Sequence, residues 1–198
     1  MTDSIDKKDV LAEIKHLEFL SYGTAQIFEK RANSLKVLRA WLTFLGIVLP
    51  ITVGGVYLSF SKSAELMEWT VTLAGIIGIF QLILSTWALV SGWDSKYESA
   101  IKSMQGNTTI YNRCKRFSNT PPNDDVELVK GYNQILNDAE MQELIDLAQH
   151  VSQKEKQYAY VSALGFYGGS CHACEQSPNK LNKATVCPSC GQKKVKLS

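Results

Sequence analysis

Four cysteines in two CxxC pairs carry the sharpest chemistry in this chain. Cys171-His-Ala-Cys174 is followed by 12 residues and then by Cys187-Pro-Ser-Cys190-Gly191. Each pair can offer two thiolates to one tetrahedral ion, and four thiolates with sulfur ligands at about 2.3 Å are the donor set of structural zinc. Pro188 and Gly191 suit the tight knuckle turn in which backbone N–H groups point at sulfur. Such a site is closed, with no open position for substrate, so the metal is expected to be structural Zn²⁺. Disulfide pairing is the competing use, but the cysteines are expected on the cytoplasmic side, where disulfides rarely persist. His172 lies between two ligands and is not expected to be one. Cys114, the fifth cysteine, has no partner in the pattern and reads as an ordinary thiol.

The remaining chemistry is expected to be non-enzymatic. The chain holds no HExxH, no nucleophile elbow and no phosphate-binding glycine loop. His16 and His150 sit in helical stretches with no catalytic constellation nearby. Five lysines follow Ser170 (Lys180, Lys183, Lys193, Lys194 and Lys196) against one acid, Glu175. Without interleaved aromatic rings they favour a folding or protein-docking role for the ribbon over a nucleic-acid platform.

What must position the ribbon is a mainly α chain. The whole-chain averages, 198 residues with net charge +2 and mean hydropathy −0.09, conceal two intensely apolar runs. Ala40 to Phe60 is 21 residues without a charge, and Trp69 to Trp93 is 25. A hydrocarbon core of about 30 Å needs roughly 20 helical residues, so both runs are long enough to span it. Only Ser61-Lys-Ser-Ala-Glu-Leu-Met-Glu68 separates them. Lys30, Arg31, Lys36 and Arg39 precede the first run, and Lys96, Lys102 and Arg113 follow the second, while the loop has only Lys62. That asymmetry predicts both termini in the cytoplasm and residues 61–68 outside. Trp41, Tyr57, Trp69 and Trp93 lie near the run ends, where amphipathic rings favour the interface.

Within the runs, small and polar residues are patterned. Gly46, Pro50 and Gly54 repeat every four residues in the first, permitting a kink and close backbone approach. Ala74, Gly78, Gln81, Ser85, Ala88 and Gly92 step alternately by four and three in the second, a seam that suits helix packing. An amide facing lipid would cost about 2–7 kcal/mol, so Gln81 is expected to face protein or water. Two readings follow. The seam packs the two helices of one hairpin, or it joins hairpins into a homo-oligomer whose central path Gln81 and Ser85 line.

The expected organisation is an N-terminal cytosolic helix (1–38), a transmembrane hairpin (39–93, spans 40–60 and 69–93), a cytosolic helical region (94–165) and a zinc ribbon (166–198). Ser4 or Asp3 can cap the first helix, whose Val10, Leu11, Ile14, Leu17 and Leu20 form one apolar stripe. Asn119-Thr-Pro-Pro-Asn123 is a firm helix break. Asn137-Asp-Ala-Glu140 has capping-box spacing, and Met141, Leu144, Ile145, Ala148 and Val151 would form the apolar face behind it. Gly165-Phe-Tyr-Gly-Gly169 reads as a flexible joint into the ribbon. The N-terminal stretch is too long and acidic for a secretory n-region, so the first span is expected to stay as an anchor.

Further residues carry a family resemblance. Ile27-Phe-Glu-Lys-Arg-Ala32 runs into the short hairpin, and the exit helix follows with Trp93-Asp-Ser-Lys-Tyr97 and Tyr111-Asn-Arg-Cys-Lys-Arg116. Over roughly residues 10–118 this layout resembles the SLATT family of bacterial two-span effector domains. The C-terminus resembles small mobile-element proteins with a CxxC…CxxC signature, whose usual gap is close to this one. The SLATT resemblance implies an inner-membrane effector in antiviral conflict. Such an effector would be triggered by a sensor or nucleotide-signalling partner protein, and would oligomerise and breach the lipid bilayer. No catalytic residue carries over. The alternative is a membrane-tethered adaptor whose ribbon recruits a protein or nucleic acid.

Overall fold

The computed structural model describes residues 6–60, 64–175, 177, 185–187, 189–191 and 193–194. The chain is mainly helical: α1 (Lys7–Phe60), α2 (Ala64–Val90), α3 (Trp93–Asn119), α4 (Asp125–Leu147) and α5 (Gln153–Tyr167). Two short strands, β1 (Thr185–Val186) and β2 (Lys193–Lys194), follow. They pair antiparallel, with Thr185 opposite Lys194 and Val186 opposite Lys193. Met1–Lys30 with Ser99–Ser198 form one compact unit and Arg31–Glu98 a second.

In the first unit the N-terminal part of α1 packs on α3 and α4. Val10 and Ile14 meet Ile110, Cys114, Leu128 and Ile135, with Leu17, Phe117, Tyr132 and Ala139 around them. The stripe foreseen in α1 is thus half right: Val10 and Ile14 are buried, but Leu20 is exposed. Capping by Ser4 or Asp3 lies outside the described residues; the Asp6 carboxylate accepts from the Lys8 backbone N–H at 3.0 Å. The Pro121-Pro122 break falls between α3 and α4, and the Lys7 ammonium donates to the Pro122 carbonyl at 3.0 Å. Tyr132 donates to Glu13 at 2.6 Å, which pushes the phenol up to about 12 because ionising it would set two anions together.

The other end of the α3–α4 contact is polar. Asn107 donates from Nδ2 to the Asp146 carboxylate at 2.6 Å and to the Ser103 carbonyl at 2.9 Å. Gln142 donates to Asp146 at 2.8 Å, and Gln149 to the Ser103 hydroxyl at 2.5 Å. Ser103, Asn107 and Asp146 are buried, so this network replaces apolar packing with satisfied hydrogen bonds.

The structure departs from three local expectations. Asn137 to Glu140 lies inside α4, whose N-cap is Asp124, accepting from the Glu127 N–H. The start is set by the residues after the proline pair, ahead of the later polar cluster. A complete capping box instead opens α5, with Ser152 and Glu155 bonded reciprocally. The face of Met141, Leu144 and Ile145 points away from the core and is exposed, and Val151 lies beyond the helix. Gly165-to-Gly169 is a defined helix end: Gly168 takes a left-handed φ of 67° and its N–H bonds the Leu164 carbonyl, as does that of Gly169.

α5 lies close against α1 because residue 23 is glycine. A Cβ there would sit 2.9 Å from the Ala159 carbonyl oxygen, a backbone atom with no rotamer to yield. Rings close the same seam: Phe19 lies 5.9 Å from Tyr160 and 5.8 Å from Tyr167, and Tyr22 stacks on Phe166 at 4.2 Å. Gly23→Ala gains helix propensity, worth about 0.5–1 kcal/mol, but overpacks this contact at about 1–3 kcal/mol. The expected net result is a lower melting temperature and faster amide exchange in residues 153–167. Raised stability would contradict the close approach.

The second unit contains the end of α1, all of α2 and the start of α3. Arg39 Nε meets Asp94 Oδ1 at 2.6 Å, and its guanidinium lies 4.8 Å from the Tyr97 ring centre. Gly46 faces Gln81. Arg39 thus meets the start of α3, and Gly46 meets α2. α2 and α3 are separate helices, since Gly92 has a φ of 64° just after Val90.

Candidate functional site

The four cysteines gather. Their sulfur atoms all lie within 4.8 Å of one another, with Cys174 Sγ 3.7 Å from Cys190 Sγ. A tetrahedron with 2.3 Å metal–sulfur bonds has edges of about 3.8 Å, so the donor set fits one ion. Cys171, Cys187 and Cys190 are buried and Cys174 is half-buried. The four are thus positioned to bind a metal ion.

Two equivalent turns produce this geometry. After the first pair, the Glu175 N–H bonds the Cys171 carbonyl at 2.7 Å; after the second, the Gly191 N–H bonds the Cys187 carbonyl at 2.8 Å. The residue closing each turn is left-handed, Glu175 at φ 58° and Gly191 at φ 69°. Glycine takes that region without strain, whereas Glu175 adopts it at a cost of about 1–2 kcal/mol. Backbone N–H groups then aim at sulfur. Cys187 is drawn down to about 7, chiefly by the Cys190 N–H, with that of Ser189 adding to it against a burial cost. At Cys171 burial opposes ionisation, yet the N–H groups of Ala173 and Cys174 prevail and the thiol is lowered. Thiolates are the metal-binding form. Pro188, Lys180, Lys183 and Lys196 lie outside the described residues.

The cluster rests on α5. Leu164 packs on Cys171, Cys187 and Cys190, with Phe19, Tyr160 and Val161 beside them. A Cβ on Gly191 would come within 2.7 Å of Gln157 Oε1. His172 stands outside the sulfur cluster, its Nδ1 2.7 Å from the Tyr160 hydroxyl. The contact with Tyr160 and Leu164 gave no sequence signal, because it joins α5 to residues on the far side of a helix cap. Cys114 belongs to the apolar core, where burial pushes its thiol up to about 11.

The patterned apolar residues are placed as follows. α1 and α2 each hold a stretch long and apolar enough to cross a membrane, and none of either stretch is buried within the protein. Ala74, Gly78, Gln81 and Ala88 are half-buried on one side of α2, whereas Ser85 is exposed and Gly92 lies past the helix end. Gln81 Nε2 sits 3.3 Å from where a Cβ on Gly46 would lie. Pro50, inside α1, has no N–H to give the Gly46 carbonyl one turn back, so the amide lies beside the interrupted turn. Gly54 and Gly78 differ: a Cβ on either would meet nothing within 4 Å.

Fold and site together define a helical protein with a small four-cysteine metal-binding module at its C-terminus. The chain belongs to the family described as mobilome CxxCx(11)CxxC protein, whose model matches residues 11–193. Here the gap is 12 residues, one more than in that description; the addition falls between the turns and leaves the spacing within each unchanged. No curated protein and no solved structure matches this chain.

The full-length protein is expected to carry one metal ion per chain by elemental analysis, and Cys187→Ser to lose most of it. After chelation, iodoacetamide at pH 7.5 should modify Cys187 ahead of Cys114, as read by peptide mass spectrometry. Early labelling of Cys114 would contradict its burial.

Proposed function

We propose that this protein is a non-enzymatic effector of the bacterial inner membrane. Its two-span hairpin crosses the lipid bilayer with both termini cytoplasmic, assembles with further copies and permeabilises the membrane. The supporting observation is that α1 and α2 each hold a long apolar stretch of which no part is buried within the protein. Water would be a poor solvent for exposed Trp69, Leu73, Phe80, Leu82, Trp87 and Leu89 in one helix, whereas acyl chains suit them. The cationic flanks orient the hairpin. Open space over Gly54 and Gly78 leaves small-residue notches on which another helix can seat.

The SLATT resemblance gives this reading its setting, antiviral or mobile-element conflict, and the family's description as one of the mobilome agrees with the second. In the proposed mechanism the cytosolic helices and ribbon receive a partner protein, such as a sensor or nucleotide-signalling protein, and release the spans to assemble. The ion is proposed to be Zn²⁺ in a structural role, since four thiolates leave no position for substrate.

One observation favours a second reading, in which the spans are a passive anchor and the ribbon recruits a protein or, less favourably, a nucleic acid. Gln81 Nε2 lies beside Gly46 of the same chain, so the amide has a protein neighbour without any oligomer. The readings separate in cells. For an effector, overexpression depolarises the membrane and Gly78→Leu or Gln81→Leu abolishes it, with protein levels kept. For an adaptor, a poly-leucine hairpin in place of both spans preserves function, and depolarisation is absent throughout.

A further inference from the structure

We propose that the outer face of α4 is a docking site for a basic amphipathic helix of a partner protein. Met141, Leu144, Ile145 and Leu147 are 63%, 64%, 51% and 64% exposed. Met141, Leu144 and Ile145, with the exposed Ala148, follow helical spacing. They lie on the side of α4 opposite Leu128, Ile135 and Asp146, which are buried. In the C-terminal turns of α4 the usual arrangement is thus inverted: the Asp146 carboxylate and the Gln142 amide face inward while large apolar side chains face out. The inward network of Asn107, Gln142 and Asp146 already satisfies the buried side, so the outer stripe has no part in holding α4 to α3.

Charge names the occupant. From residue 131 to 153 there is no lysine or arginine, while Asp138, Glu140, Glu143 and Asp146 all fall there. Asp146 is buried and Asp138 pairs with Arg113, which leaves Glu140 and Glu143 to rim the stripe. An anionic leaflet or a phosphate backbone would be repelled by that rim. A second copy of α4 would set acid against acid. A helix with a leucine ridge and lysine flanks matches both features: ridge on stripe, ammonium groups on Glu140 and Glu143.

This inference deepens the proposed function by naming where a triggering partner would engage, yet it is read by binding alone and stands apart from depolarisation. The probe is a fluorescent 18-residue helical peptide with a leucine stripe and lysine flanks, beside its glutamate-flanked counterpart. Each is titrated against full-length protein in phosphatidylcholine nanodiscs, with empty discs subtracted. Saturable binding of the lysine peptide is expected, weakened about tenfold or more by Leu144→Asp, a loss typical of a central anchor. Glu140→Lys with Glu143→Lys should reverse the preference to the glutamate peptide, with unchanged helicity by circular dichroism in both variants. Equal binding of the two peptides, or binding of neither, would overturn the proposal. So would a wild-type dimer in the absence of peptide that Leu144→Asp dissolves, which would make a second copy the occupant.

Discussion

The cost of leaving a peptide group without a hydrogen-bond partner away from water governs this chain. Each such group costs several kcal/mol in an apolar medium, so a long apolar run is viable there only as unbroken helix. α1 continues as one helix from Lys7 to Phe60, through Pro50, as that constraint would require of a spanning segment. The one turn that proline interrupts is the turn beside which Gln81 lies. The same constraint shapes the C-terminus in another way. Among the described residues the ribbon has two-residue strands, and its buried cluster is made of the cysteines packed on Leu164 of α5. In a module of this size, metal binding and folding are a single free energy.

α5 is the element on which the ribbon and α1 both depend. One face meets α1 through the Gly23–Ala159 approach and the ring contacts of Phe19 and Tyr22. Another carries Leu164 and Tyr160, which hold the cysteine turns and His172. Tyr167 adds a 2.7 Å hydrogen bond to the largely buried Glu18, and burial raises its phenol strongly, with that bond adding to it. The ribbon is therefore part of the first compact unit and not a pendant tail.

Much of this was legible because some signals are local. The CxxC pairs named the metal ligands, since two ligands two residues apart lie within one turn. The proline pair marked the α3–α4 break, since proline lacks the N–H a helix needs. The failures came where tertiary contacts decide. The Met141 stripe has helical periodicity, but periodicity cannot tell which face of a helix is covered. Here Asn107 and Gln142 satisfy Asp146 and turn the polar side inward. The expected capping box at Asn137 failed similarly, because Asp124 had already started the helix. Gly23 carried no signal at all, for only the chain brought across from residue 159 gives it a reason.

The central proposal is that the hairpin crosses the membrane with its loop outside. The most direct measurement places a cysteine at the loop by Ser63→Cys and treats intact spheroplasts with a membrane-impermeant maleimide. Labelling of the variant without lysis, with the wild-type chain unlabelled until the cells are broken and chelated, is the predicted result. Labelling of Ser63→Cys only after lysis would contradict it, placing the loop inside or the helices off the membrane.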